Sequence, residues 1–312
     1  MTTSIKPLVV MKFGGAALAT PENILITCKI INSYSKKNRL VIVVSAIKGV
    51  TDKLYQIGKI IREEKLELAL KKIENLHRKH LDFLEKIKNP LDKIRVQQEI
   101  KLLFDLLEIF IKKITPYRFT LSQMDFIVSF GERLSSRIIS HYLKNESLAV
   151  LTIDTRDFFI TTDEFGQAKP IILSSKKKIR NIIGQCLKNK TIPIVTGYIG
   201  RTRDGCITTF GRGGSDYSAS LIANFIDADR LILWKDVNGL YNEDPKKNSQ
   251  AQLLSQVTYD QAMKLSINGA KIIHPESIIP TKEANIPVSI KCFLKPNLLG
   301  TIIKNKINSI NI

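Results

Sequence analysis

Histidine and cysteine are scarce in this chain, with four of each among 312 residues. Cys28, Cys186, Cys206 and Cys292 lie far apart and form no C-x-x-C pair, which excludes a zinc knuckle or a dithiol redox motif and leads us to expect reduced, cytoplasmic thiols. His77 and His80 stand at i, i+3 without a third ligand, and His141 and His274 are isolated, so no metal site is expected and the pair reads as solvated surface. No Ser/His/Asp or Cys/His arrangement can be picked out. No apolar run approaches the roughly 20 residues that cross a bilayer. The opening MTTSIKPLVVMKFGG has too short an apolar run for a signal peptide and no small-residue cleavage site, so no membrane partner is expected. Internal repeats and low-complexity linkers are missing as well.

Acidic residues are also in deficit. Against 29 Asp and Glu stand 48 Lys and Arg, a net charge of +19, which suits nucleic acid, a membrane surface or small anions. The lysines are scattered through Ile/Asn/Lys-rich stretches such as SSKKKIRNII (174–183) without a nucleic-acid motif, so compositional drift and small anionic ligands are the better reading.

What is there is an alternation of strand-like and helical patterns. PLVVMKF (7–13), closed by Gly14-Gly15, reads as a buried strand and turn. Thr20-Pro21 opens a helix as N-cap and first residue, and RLVIVVSA (39–46) is the next strand, completing a βαβ unit. From about 52 to 144 the pattern is helical, with breaks at Asn89-Pro90 and Thr115-Pro116. Strands return near 147–153, 191–197, 229–237 and 286–293, with helices near 174–189 and 215–227 between them. The fold class is therefore α/β, a mostly parallel central sheet with helices on both faces and a helical excursion at about 52–144. A soft boundary near 200 divides an N-terminal lobe, 1–200, from a C-terminal one, 201–312.

Ligands of such sheets gather at the carboxyl ends of strands, and those loops carry unusual residues. Lys12 ends the first strand beside Gly14 and Gly15, a structural lysine or one facing an anion together with backbone N–H groups. Ser45 and Thr51 follow the second strand, Thr51 being a good helix N-cap as well. In GERLSSR (131–137), Glu132 and Arg133 interrupt an apolar helical stretch, either a charged pair aimed into a cleft or a solvated face. GRGGSDYSA (211–219) is a tight turn or an anion cradle: Arg212 suits a carboxylate or phosphate, Gly213 and Gly214 let the main chain approach, and Asp216 falls where a helix begins. WKDVNGLYNEDPKK (234–247) offers Lys235, Asp236, Tyr241 and Lys246, and NGAKIIHP (268–275) offers Lys271. Neither G-x-G-x-x-G nor G-x-x-x-x-G-K-[ST] occurs, which disfavours a dinucleotide fold and a Walker-type ATPase.

Taken in order from Lys12 to about residue 300, KFGG, SA with a threonine six residues after the serine, FGERLSSR, GRGGSDYSA, W-x-DV-x-G-x-Y with DP behind it, and GAK-x-x-HP resemble the aspartate kinase branch of the amino acid kinase family. The resemblance implies transfer of the γ-phosphoryl group of ATP, with Mg²⁺, to the side-chain carboxylate of L-aspartate, a first step toward lysine, threonine, methionine and diaminopimelate. It implies Lys12 as catalytic lysine and Asp216 as organiser of the catalytic groups. Gly14 and Gly15 fall at the phosphate, and Ser45, Thr51, Glu132, Arg212, Gly213 and Gly214 at the aspartate. Lys235, Asp236, Tyr241, Lys246 and Lys271 lie along the nucleotide, and a homodimer is expected. A carboxylate nucleophile is ionised at neutral pH, so the lack of a histidine base fits this chemistry.

Four departures stand out. Ala16-Ala17 replace the hydroxyl pair of the usual FGGTS, Lys235-Asp236 the usual TD, Asn238 a common proline, and Thr51-Asp52 the usual TN. The feedback-regulated members continue into ACT-type domains, whereas this sequence ends in GTIIKNKINSINI, which leaves two readings, a catalytic domain insensitive to lysine and threonine or a piece of a longer chain. A sister kinase for N-acetylglutamate is disfavoured by Glu132, because an acetylated nitrogen carries no charge to pair. A non-catalytic binding protein is the alternative that Ala16-Ala17 and Lys235 motivate.

Overall fold

The structure is a computed structural model and describes residues 6–243, 245, 248, 250–267 and 272–306. In chain order the first strand is β1 (Leu8–Phe13), then α1 (Pro21–Ser35) and β2 (Arg39–Val44). The helical excursion is α2 (Val50–Arg62), α3 (Leu66–Asp82), α4 (Pro90–Lys112), α5 (Leu121–Val128) and α6 (Phe130–Asn145). Next come β3 (Val150–Ile153), α7 (Ile172–Lys188), β4 (Ile192–Thr196), a small hairpin of β5 (Ile199–Arg201) and β6 (Ile207–Thr209), and α8 (Gly214–Phe225). The chain continues through β7 (Arg230–Lys235), β8 (Gln256–Val257), α9 (Tyr259–Ile267), α10 (Ile279–Glu283), β9 (Val288–Cys292) and β10 (Thr301–Ile303).

The main sheet runs β3-β4-β2-β1-β7-β9-β10-β8, parallel except where β10 meets β9. β1 is buried along its whole length, as a central parallel strand covered on both faces must be. Its alternating side chains divide the interior in two. Val9, Met11 and Phe13 join the core formed with α1 and α6, whereas Leu8 and Val10 join the one formed with α7 and α8. That parity sends Lys12 toward the α8 side. The register Phe13↔Val44 and Phe13↔Trp234 aligns the carboxyl ends of β2, β1 and β7 along one crevice. The expected α/β architecture with helices on both faces is what the structure has.

Local signals account for several boundaries. Thr20 Oγ1 accepts the Asn23 N–H at 3.2 Å, with Pro21 as the first helical residue. Asn89 caps α4 ahead of Pro90, and Thr120 with Gln123 forms a capping box on α5.

Other expectations need correction. Thr51 does not cap α2: the helix opens one residue earlier, behind Gly49 in the left-handed conformation at φ 78°, and Thr51 sits inside its first turn. His80 is buried rather than solvated, its Nδ1 2.7 Å from the Leu76 carbonyl and its ring edge-on to Phe104, on which His77 stacks. Burial pushes its pKa down to about 4, so the ring is neutral. The β5–β6 hairpin, β8, α9, α10 and β10 were not expected from the pattern.

Candidate active site

Three side chains meet at the strand ends. Asp216, in the first turn of α8, faces Lys12 Nζ with Oδ1 at 2.5 Å and Lys235 Nζ with Oδ2 at 2.5 Å. Lys12 and Asp216 are each only 5 % exposed. Burial by itself would raise the Asp216 pKa, but the Lys12 and Lys235 charges prevail and hold it down at about 2. For Lys12, burial lowers the pKa, Asp216 opposes the effect, and Lys235 adds to it. Two ammonium groups on one carboxylate leave a net positive charge, which a bound anion would neutralise.

A cavity of about 270 Å³ opens over these groups, lined by Lys12, Gly14, Gly15, Ala16, Lys235, Asp236, Val237 and Ile272. The turn after β1 is drawn close: a Cβ on Gly15 would lie 3.0 Å from the Ala46 carbonyl oxygen. The Gly14 N–H donates to Trp234 O at 3.3 Å and is not an open donor, which leaves Gly15 and Ala16 at the start of a short 3-10 turn with N–H groups free of intrahelical partners. Asn23 Nδ2 donates to Ala16 O at 2.8 Å and Thr27 Oγ1 to Ala17 O at 3.0 Å, so α1 holds the turn in place.

The glycine-rich stretch has a structural reason for its composition. Gly213, the α8 N-cap, adopts φ 76°, and a Cβ there would meet His274 Cβ at 2.6 Å. A Cβ on Gly214 would meet the Tyr198 ring at 2.8 Å, and the Gly214 N–H closes a turn on Gly211 O at 3.0 Å. Gly214 is thus a close-packing position whose donor is taken. Arg212, between these glycines, is exposed and makes no salt bridge among the described residues.

Glu132 lies beside this loop. Gly131 lets α6 approach the chain after β2, since a Cβ there would stand 2.7 Å from Ala46 Cβ. Ser135 Oγ fastens the contact by donating to Ser45 O at 2.7 Å. Glu132, 3 % exposed, accepts from Ser215 Oγ at 3.4 Å through Oε1, while its buried Oε2 has no partner among the described residues. Burial pushes its pKa up to about 7, against the opposing influence of the nearby Ala46 and Glu132 amides and the Lys12 charge. Ser45 and Thr51 are half-buried nearby, Thr51 Oγ1 lying 3.7 Å from the same Gly131 Cβ position.

The Glu132-Arg133 pair is not on a solvated face, but its two members diverge. Arg133 is buried over the Phe130 ring at 4.3 Å, with Nε 3.6 Å from Asp154 Oδ2, and Asp154 also takes a bidentate contact from Arg156 at 2.8 and 2.6 Å. Tyr241 is half-buried in a backbone bridge to Leu253 and does not line the cavity, whereas Asp236 is exposed on its rim. Lys246 and Lys271 lie outside the described residues.

Sequence reasoning missed two groups. Tyr198 holds φ 72°, unusual for a bulky residue, and its hydroxyl is 3.0 Å from that of Tyr55. Asp125 is buried and accepts from Gly166 N, Thr209 N and Thr209 Oγ1 at 2.8, 2.9 and 2.8 Å, fixing the loop whose Gly166 carbonyl abuts Gly211. An acid alone in the apolar stretch MDFIV was the available signal.

Comparison with known proteins places the chain in a family. The chain is 32 % identical over 303 residues to aspartokinase 2, chloroplastic, of Arabidopsis thaliana, covering 94 % of this chain and 54 % of the relative. It is 29 % identical to lysine-sensitive aspartokinase 3 of Escherichia coli strain K12, covering 96 % and 64 %. The crystal structure of E. coli aspartokinase III in complex with aspartate and ADP (R-state) superposes with a TM-score of 0.87 at 29 % identity, covering 97 % of this chain and 65 % of that one. The chain thus spans between about half and two thirds of these relatives' length. Residues 7–292 match the amino acid kinase family, and with a buried lysine-aspartate centre at the strand ends of the corresponding sheet, the chain belongs to that family.

Proposed function

We propose that the chain carries the phosphotransfer centre of an aspartate kinase, moving the ATP γ-phosphoryl group to the side-chain carboxylate of L-aspartate. The observation that carries this reading is the pairing of a net-positive Lys12–Asp216–Lys235 cluster under an open cavity with a buried Glu132 oxygen that lacks a partner. The first suits a phosphate. The second suits an ammonium group, which a free α-amino acid brings and an N-acetylated one does not.

In the reaction a carboxylate oxygen of aspartate attacks the γ-phosphorus, a new P–O bond forms, and the bond to the bridging oxygen breaks to release ADP. No proton moves, so no general base is needed. Lys12 offsets charge on the transferring group, and Asp216 fixes that lysine. Gly14 and Gly15 shape the phosphate turn, with the Gly15 amide as donor. Glu132 receives the substrate ammonium, and Arg212 its α-carboxylate, with Ser45, Thr51, Gly213 and Gly214 framing the pocket. Lys235, Asp236, Tyr241, Lys246 and Lys271 are assigned to the nucleotide side. We read 1–200 as the amino-acid lobe and 201–312 as the nucleotide lobe, the seam falling between β1 and β7.

Magnesium would arrive with the nucleotide. Among the described residues no three His, Cys, Asp or Glu side chains gather to hold an ion, and magnesium commonly needs only phosphates, water and one or two carboxylates. Asp236 is the carboxylate we assign to it, and the ion would neutralise phosphate charge. The same lysine-rich centre suits small anions better than nucleic acid, and no described helix is long and apolar enough to cross a membrane.

Hydroxylamine trapping tests the proposal. With Mg-ATP and L-aspartate we expect aspartyl hydroxamate, none with N-acetyl-L-glutamate, and none from Lys12→Ala. Hydroxamate from the acetylated acceptor, or from the lysine variant, overturns it.

A further inference from the structure

Lys235 ends β7 beside the cavity, and the structure gives it more than a surface role. β7 alternates as β1 does: Leu231 and Leu233 belong to the core on the α8 face, so Lys235 points to that face, as Lys12 does one strand away. Its ammonium reaches the Asp216 oxygen that Lys12 leaves open, at 2.5 Å, and its side chain is only 16 % exposed. One buried lysine already neutralises one carboxylate. A second, largely withdrawn from water, adds a charge that the protein itself leaves unbalanced, since the only described carboxylate within salt-bridge distance of either ammonium is the one they share.

The surroundings say what balances it. An ammonium has three donors, and Asp216 takes one of those on Lys235. Lys235 also lines the cavity, next to Lys12 and the turn after β1. That turn offers no side-chain donor, because Ala16 and Ala17 follow the glycines. Glu132 does not line this cavity, so the amino-acid pocket lies beyond it. We infer that Lys235 is a second phosphate-binding cation which, with Lys12, grips the terminal phosphoryl group of a nucleoside triphosphate. It supplies by charge what the alanine turn does not supply by hydroxyls. The inference rests on the proposed phosphotransfer reading for the class of ligand, but not on aspartate as the acceptor.

The test compares two nucleotides. Titration of the protein with Mg-AMP-PNP and with Mg-ADP gives the affinity added by the terminal group. For Lys235→Met we expect on the order of tenfold weaker AMP-PNP binding, ADP affinity changed less than about threefold on the same scale, and recovery of the AMP-PNP preference in Lys235→Arg. Equal losses for both nucleotides, an unchanged preference, or failure of arginine to restore it overturns the inference. If Lys235→Met does not fold, Lys235→Thr carries the same comparison, since it also removes the charge. Wild-type protein that binds neither nucleotide sinks both this inference and the proposed function. A wild type that shows the AMP-PNP preference but makes no hydroxamate sinks only the assignment of aspartate.

Discussion

Asp216→Asn removes the one negative charge that two buried ammonium groups share, and the structure sets the size of the effect. The Asp216 pKa falls from its ordinary 3.8 to about 2, which corresponds to on the order of 2 kcal/mol of native-state preference for the ionised form. Asparagine loses that and also leaves Lys12 and Lys235 facing each other without a counterion, so the total should approach the roughly 3–5 kcal/mol of a broken buried pair. Because the folded pKa is depressed, this stabilisation is fully present above the unfolded value and is lost as pH falls through about 2. Urea unfolding should therefore show a gap between wild type and variant that is constant from neutral pH down to about pH 5, narrowing only below about pH 4. Adding Lys235→Met to Asp216→Asn should restore part of the loss, since one uncompensated charge disappears, giving a coupling of at least about 1 kcal/mol in a double-mutant cycle. A loss below about 1 kcal/mol for the single variant, with strictly additive behaviour in the double, would refute the reasoning.

Much of the sheet was legible because parallel central strands are long, apolar and bounded by glycine or proline. LVVMKF and RLVIVV carry their own burial pattern, and the capped starts at Thr20-Pro21 and Asn89-Pro90 are local chemistry. The hairpin β5–β6 was not legible. Its strands are three residues each, and the intervening TRDGC reads as loop by composition. Thr51 failed as a cap because a left-handed glycine two residues earlier already starts the helix, a backbone choice that a preference for hydroxyls does not reveal. His80 did leave a trace: Ala69, Ile73 and Leu76 recur on one face of α3, and His80 continues that face by four residues.

For the site, individual residues were visible but their partners were not. Lys12 could be placed at a strand end and Asp216 at a helix start from the sequence. That Lys235 joins them depends on β7 lying beside β1, a neighbour relation between distant segments that no local spacing encodes. The glycines of GRGG illustrate the same limit. Their number suggested an anion cradle or a turn, and the structure makes Gly213 a matter of positive φ and close approach to His274, with Arg212 left exposed as the group open to a ligand.

The remaining predictions follow from that separation of framework and ligand groups. Arg212→Ala touches an exposed side chain outside any described salt bridge, so unfolding free energy should change by less than about 0.5 kcal/mol while the KM for aspartate rises on the order of tenfold through loss of a charge-assisted contact. A large stability loss with unchanged KM would remove it from the substrate pocket. Glu132, with its pKa raised from 4.5 to about 7 by burial, binds more protons folded than unfolded across that window, so ligand-free stability should fall by about 3 kcal/mol as pH rises through it and then level off. The ionised carboxylate left at higher pH is the form that receives an ammonium group, so aspartate should bind more tightly as pH rises from about 6 to 8, and Glu132→Gln should flatten both profiles. Calorimetric titration of aspartate across that range checks the sign: affinity that is independent of pH in wild type, or that falls as the carboxylate ionises, rules out Glu132 as the ammonium partner.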